Sequence, residues 1–439
     1  MRQAVVLGSS IAGLLAARVL AEHTEDVAVL EPDDMAADGA LRPGAPQGVQ
    51  LHVLLDMGRI QLERWFPGLT AALVADGAVH AQGTEFHSYV DGALKVPVPG
   101  HEMIGATRPF IEHRIRRRVL ALPNVRTVRG RADRLVLTGG RVTGVGYRTA
   151  DGGRAELTAD FVVDATGRAS RLGAWLTEAG WPAPPVRRMP IDLGYATAYF
   201  RRGAELPGVK IAASVVSPPR PGEAQRDGNA MAEVEGGRWM VMIGAYADGR
   251  PGKDPDEFRD RLARAAAAPF RTVAAECEML GDVAVHRTPD SRRREFTALD
   301  RFPGGLVAAG DAVAAFNPVY GQGMSSAALH ASCLSAYLRS GAAPGEPALG
   351  YFRRIRVVVD AAWSLSTLGD LAQPHVPGPY PPGYRISQWY STLLVRATVT
   401  DQETHRRFLD VVNMRAHPRL LSRPDTVWRV ARALWSAPN

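Results

Sequence analysis

Three glycine-and-acid signals, set far apart, constrain this chain more than any other feature. Gly8-Ser9-Ser10-Ile11-Ala12-Gly13 opens the sequence, Asp164-Ala165-Thr166-Gly167 lies near its middle, and Gly310-Asp311 begins the last third. Each follows a short apolar run of the kind expected for a strand buried on both faces. One glycine loop is a common turn. Three, each at the end of a buried strand, imply one long cofactor held from several directions, and the cofactor inferred is FAD.

The first 35 residues carry the strongest signal. Residues 4–7 predict a strand, 11–22 a helix with small residues on one side, and 27–30 a second strand ending in Glu31. This is a βαβ unit whose acid falls 18 residues after Gly13. Backbone N–H groups of Ile11, Ala12 and Gly13 at the helix start can meet a pyrophosphate, and Glu31 can accept from ribose hydroxyls. Ser10 stands where the middle glycine of the usual fingerprint would be. It is small enough for a phosphate to approach and offers its hydroxyl. The alternative for the loop alone is a chance turn in an α/β protein.

Further along, residues 141–148 and 155–164 predict antiparallel strands joined at Asp151-Gly152-Gly153, and the second runs into Asp164. Residues 305–309 predict another buried strand before Gly310-Asp311. A loop with Phe316, Asn317, Pro318, Gly321, Gln322, Gly323 and Met324 then leads into a helix at 325–338. Two glycines before a helix start let a flat ring lie on backbone, and the positive helix end favours an anion there. Between 190 and 284 the pattern changes to strands at 191–200, 210–216, 229–235 and 238–246, with a Pro- and Gly-rich turn at 217–222 and a helix at 255–267. An antiparallel sheet between cofactor motifs suits a substrate domain. Tyr195, Tyr199, Trp239 and Met242 are candidate wall residues, with a plain core or sheet-face role the expected one for each. From 345 the chain turns helical, with helices at 357–368, 386–414 and 423–435 and a proline-rich crossing segment at 373–384. In the last helix Val427, Trp428, Ala431, Leu434 and Trp435 share one side, which is expected to pack on the body of the protein, the alternative being contact with a membrane surface or a lipophilic substrate carrier.

Composition excludes several classes. The chain has 439 residues, a net charge of +7 and three lysines. Arginine supplies the rest of the positive charge, and the basic clusters at 113–118 and 292–294 lack interleaved aromatics. They read as solvated faces, so no nucleic-acid partner is expected. Two cysteines fit a reducing compartment. No apolar stretch reaches 18 residues and no secretory leader is evident, so a cytoplasmic protein without a transmembrane segment is expected. The 11 histidines show no metal-ligand spacing, and no metal is expected.

Together these residues resemble the FAD-dependent monooxygenase superfamily built on the p-hydroxybenzoate hydroxylase fold. Arg42-Pro43-Gly44-Ala45-Pro46-Gln47, His52, and the run from Asp311 to Gly321 are closest in pattern to bacterial polyether-type flavin epoxidases. The resemblance implies an α/β fold: an FAD-binding Rossmann-like domain with an inserted antiparallel-sheet substrate domain and a C-terminal helical region. The FAD-binding domain would comprise 1–75, 101–185 and 285–344, the substrate domain 76–100 and 186–284, and the helical region 345–439.

It also implies roles. Gly8, Ser10, Gly13 and Glu31 would hold the ADP half with Ile11 and Ala12. Arg42, Gln47 and Arg108 would bind the cofactor from outside the first unit. Asp164 would lie near the pyrophosphate, and Gly310 and Asp311 at the ribityl chain. Gly321, Gln322, Gly323 and Met324 would lie at the ring edge. His52, Phe316, Asn317 and Pro318 are flavin-proximal candidates, and no side chain is assigned to the chemistry itself. One oxygen atom would pass from a flavin C4a-hydroperoxide to a C=C or aromatic carbon of an apolar natural-product intermediate, a polyene polyketide for example. Electrons would come from NAD(P)H directly or through a separate flavin reductase. Alternatives are an alkene reductase of the geranylgeranyl-reductase type, a flavin-dependent halogenase, and a non-enzymatic FAD-bound sensor. Against the halogenase, no Trp-x-Trp occurs and Lys95 is the only lysine before Lys210.

Overall fold

The computed structural model describes residues 1–35, 39, 41–218 and 226–435. Part of the turn expected at 217–222 therefore lies outside the described residues. Two large sheets organise the chain. The first has seven strands in the order Arg154–Thr158, Arg141–Thr149, Val125–Thr138, Asp26–Glu31, Gln3–Leu7, Phe161–Asp164 and Leu306–Ala308. Its last five strands are parallel. The Val, Leu and Ala side chains of Gln3–Leu7, Asp26–Glu31, Phe161–Asp164 and Leu306–Ala308 are buried on both faces, because the helices Ile11–Leu20, Arg108–Leu120 and Gly323–Arg339 cover them. The stretch read as one strand at 155–164 is two: Arg154–Thr158 pairs antiparallel with the hairpin, and Phe161–Asp164 pairs parallel with Gln3–Leu7.

The second sheet has eight strands in the order Ala314–Ala315, Met279–Arg294, Val186–Arg201, Arg238–Tyr246, Gly228–Val234, Ile211–Val215, Phe86–Val90 and Ala93–Leu94. Four of its strands answer to those expected, but the sheet continues to Arg294, past the expected end at 284. Charged and half-exposed side chains hide the period of Met279–Arg294. One face packs on the helices Pro255–Ala263 and Ala268–Glu276 through Phe200, Trp239, Phe258 and Phe270. A single helix was expected there. The other face packs against Leu55, Ala81 and Met103 on one side and Leu371 and Tyr384 on the other.

The C-terminal region departs from the sequence in two places. The helix expected at 386–414 is broken into Tyr384–Ala397 and Gln402–Val412, because the Asp401 carboxylate accepts from Thr404 N at 2.7 Å and starts a new helix. In the helix Pro424–Trp435, Val430 and Leu434 face the neighbouring helices, whereas Trp428 and Trp435 are 62% and 92% exposed. Its tryptophans do not pack on the body as expected. The basic clusters also differ from solvated faces. Arg116 is buried and paired with Glu112 at 2.8 Å, and buried Arg293 pairs with Glu295 and Asp360.

Candidate functional site

The three glycine signals meet at one edge. Leu7, Asp164 and Ala308 are neighbours across the parallel strands, so the turns that follow them stand side by side at the carboxyl end of the sheet. Gly8 has φ +93°, and a Cβ there would stand 2.7 Å from the Ala165 carbonyl oxygen. At Gly13 a Cβ would meet the Gly8 carbonyl oxygen at 1.9 Å, so the helix Ile11–Leu20 can lie against the strand only with glycine there. No side chain caps this helix, which leaves its first N–H groups open toward the cleft.

Around that helix start lies a dense ionic cluster. Glu31 accepts from Ser9 N and Ser9 Oγ, both at 2.8 Å. Arg42 reaches Glu112 at 2.5 Å, Glu31 at 3.4 Å and Asp33 at 3.4 Å. Burial pulls the Arg42 pKa down, but Glu112 and Glu31 outweigh it and hold the guanidinium charged. Ser10 Oγ donates to Glu112 at 2.7 Å and accepts from Arg108 at 2.9 Å. Arg108 also faces His52 Nε2 at 3.4 Å, and its buried Nε–H has no hydrogen-bond partner. His52 has Nδ1 2.8 Å from the Gln50 carbonyl, so Nδ1 carries the proton and Nε2 accepts. Burial first and Arg108 second lower its pKa to about 3, so it is neutral. Gln47 is half-buried in the short turn Pro46–Val49.

At the other end, Gly310 N–H donates to His330 Nδ1 at 3.0 Å, and this buried histidine, its pKa lowered by burial to about 4, pins the turn. A Cβ on Gly310 would meet Ala12 Cβ at 2.6 Å, which shows how closely the first and last signals approach. Burial raises the carboxyl pKa of Asp311, against the pull of Arg108, Arg168 and Arg294. Gly321 and Gly323 are exposed, nothing lies within 4 Å of a Cβ built on Gly323, and the helix Gly323–Arg339 has no side-chain cap. Backbone is therefore open where a flat ring would rest. Two uncapped helix starts, this bare glycine edge and an Arg108 Nε–H that makes no hydrogen bond, with Glu112 3.8 Å away, fit a dinucleotide with a ring at its far end.

Several expected residues turn elsewhere. Asp164 is fully buried and uses Oδ1 on Thr166 and Oδ2 on Ser170, so it shapes its own turn. Gln322 donates to the Val412 carbonyl at 3.0 Å, away from the cleft. Ile11 and Met324 are packed in the core, while Ala12 and Phe316 are half-buried against it. Pro318 is exposed. Asn317 is buried. Its Oδ1 accepts from Val319 N, and its amide donates to Tyr246 Oη at 3.0 Å and Asp370 Oδ1 at 2.6 Å. Over this loop stand Tyr195, whose hydroxyl pKa burial pushes up to about 12, and the His286 ring 5.4 Å away.

No protein-family model matches the chain. Protein Rv3254 of Mycobacterium tuberculosis is 35% identical to it over 391 residues, which span 85% of this chain and 81% of that protein. The chain belongs to the Protein Rv3254 family. Among solved structures, the flavin-dependent brominase Bmp2 superposes with a TM-score of 0.69 at 14% identity, over 98% of each chain. The p-nitrophenol 4-monooxygenase PnpA from Pseudomonas putida DLL-E4 gives 0.64 at 19% identity, over 94% of this chain and 99% of that one. PqsL from Pseudomonas aeruginosa, a probable FAD-dependent monooxygenase, gives 0.61 at 18% identity, over 85% and 97%. At these identities the likeness is one of fold: the chain has the flavin-dependent monooxygenase fold.

Sequence reasoning missed Glu112, Arg116, His330 and Asp370. Arg108, Glu112 and Arg116 were legible, since a carboxylate flanked by arginines at i−4 and i+4 marks one helix face. His330 carries no local signal. Its partner is 20 residues away across a turn.

Proposed function

We propose that this protein is an FAD-dependent monooxygenase acting on an apolar substrate. The observation that carries the proposal is the convergence of the turns after Leu7 and Ala308 at one sheet edge, facing the open side of the antiparallel sheet. In this reading the N–H groups at Ile11–Leu20, with Ser10 and Arg108, hold the pyrophosphate. Glu31 accepts from the ribose and Asp311 from the ribityl chain. The helix start at Gly323 stabilises negative charge at the ring edge.

Bound FAD, once reduced, supplies the dioxygen activation that no side chain here can supply. The protein positions and shelters. Neutral His52 and Tyr195 line the approach without bringing a second charge to it. Met242, Ala230 and Ala213 give the opposite wall an apolar surface that excludes water. Electrons would come from NAD(P)H directly or through a separate flavin reductase. In this reading one oxygen passes to a C=C or an aromatic carbon, by epoxidation or hydroxylation; the apolar Met242, Ala230 and Ala213 wall and the lack of a metal-ligand cluster among the described residues support it.

The test uses purified protein loaded with FAD and reduced under labelled dioxygen with a panel of polyenes and phenols. The expected result is a product carrying one atom of the oxygen label. A product gaining two hydrogens without oxygen uptake would assign an alkene reductase, and halide-dependent substitution a halogenase. Failure to retain FAD would end the proposal.

A further inference from the structure

One lateral row crosses the flavin-facing side of the antiparallel sheet. Thr197 pairs with Met242, Met242 with Ala230, Ala230 with Ala213, and Ala213 with Ser88. Lys95 N donates to Ser88 O at 2.9 Å in the continuing register of the last hairpin, which puts Lys95 at the end of the row. Directly opposed residues share a face, and this is the face of Ile211, Ala232 and Met240, which pack with Leu55, Ala81 and Met103. Five strand spacings separate Thr197 from Lys95, about 24 Å. Met242, Ala230 and Ala213 are half-buried although they sit on interior strands, so open space lies above them.

Lys95 itself is 2% exposed. Its ammonium lies 4.6 Å from the Phe408 ring centroid, and no carboxylate comes within 4 Å of it among the described residues. His405, one turn earlier on the same helix, bonds the Val96 carbonyl through Nδ1 at 2.6 Å. Burial keeps it neutral at ordinary pH, so it does not supply a balancing charge. Burial also lowers the Lys95 pKa to about 8. An unpaired buried ammonium costs stability, and a methionine of the same length would avoid that cost. The position is explained if an anion enters from the open row.

Resting on the monooxygenase reading for the identity of the cavity, we propose that Lys95 anchors the anionic end of an elongated apolar substrate whose reacting carbon lies at the Thr197 end, beside the Gln50–His52 segment that meets Arg108. The substrate class is a long apolar chain or polycycle ending in a carboxylate or an acidic enol. The nearby half-buried groups accept its apolar length, and the ammonium accepts its charge in a charge-assisted hydrogen bond.

The test compares decanoate with 1-decanol by calorimetry on the FAD-loaded protein. Wild type is expected to bind decanoate at least about tenfold more tightly, the scale of one hydrogen bond to a charged group. Lys95→Met should abolish that preference while raising Tm, and Lys95→Arg should retain part of it. Equal affinity for the two probes in wild type, no measurable binding of either, or a preference that survives in Lys95→Met would overturn the proposal. FAD content is read separately from absorbance. Loss of FAD binding would defeat the monooxygenase reading, whereas the decanoate preference of the same protein still judges Lys95.

Discussion

Asp370 places a carboxyl in an apolar seat between the end of the helix Leu349–Asp370 and the Asn317 loop. One oxygen accepts from Asn317 at 2.6 Å, and the other is buried without a hydrogen-bond partner. Burial raises its pKa to about 7, against the Asn317 bond that lowers it. The native protein therefore retains a proton that the unfolded chain releases from about pH 4 upward. Stability falls as pH rises through that window, and the full cost is present above about pH 7. Asp370→Asn keeps the Asn317 bond and removes the charge. At equal FAD occupancy it should be more stable than wild type above pH 7, by at most a few kcal/mol at about 1.4 kcal/mol per pKa unit and read as a higher Tm, with the gap closing toward pH 4. A gap of constant size across that range would show that Asp370 is not the titrating group.

Among elements, the leading βαβ unit rests on one contact distance. A Cβ at Gly13 would fall 1.9 Å from backbone oxygen, which cannot swing aside as a side chain can. Gly13→Ala should therefore separate helix from strand and cost on the order of 2 kcal/mol or more. Gly323 has open space around its missing Cβ and begins a helix, so Gly323→Ala should be neutral or stabilising by up to about 1 kcal/mol. Thermal unfolding of the two variants measures the contrast, and equal shifts would show that the close approach is not what glycine serves at position 13. Elements with a strong local period were legible in sequence: the strands Gln3–Leu7 and Arg238–Tyr246, and the helix Ile11–Leu20. Met279–Arg294 was not. Its charged side chains are held in place by partners on the neighbouring strand and a distant helix, such as Asp360 for Arg293, and no window of sequence contains both.

Across the whole molecule, acid stability follows from three buried neutral histidines. Burial lowers His52 to about 3 and His330 and His405 to about 4, all below the ordinary 6.5. Between those values the unfolded chain takes up protons that the native protein refuses. Stability from these groups is complete above about pH 6.5 and is lost progressively as pH falls toward 4. Asp370, Asp311 and Glu233, raised by burial, work in the opposite sense over part of that range, whereas His23, His87, His101 and His286, lowered by burial, add to the three. Tm measured from pH 7 down to 4.5 should decline, and a flat or rising profile would contradict the neutral assignments. The histidines lie at the cofactor cleft, under the Gly310 turn and beneath the Lys95 hairpin, so acid should loosen the site and the fold together.

What the sequence determined by itself is local chemistry: a glycine that only a tight turn can use, an acid at a strand end, an alternation that gives a strand one apolar face. These depend on neighbours a few residues away, and they were enough for the fold class and for naming Gly8, Glu31 and Asp311 as candidates. The tertiary structure decided what depends on distant pairing. It joined Ser10 to Glu112 across 102 residues and Asn317 to Asp370 across 53, and aligned Lys95 with Thr197 through five strand pairings. Strand order and register carry those residues into contact. Both are set by which faces must be buried together, a property of the assembled sheets.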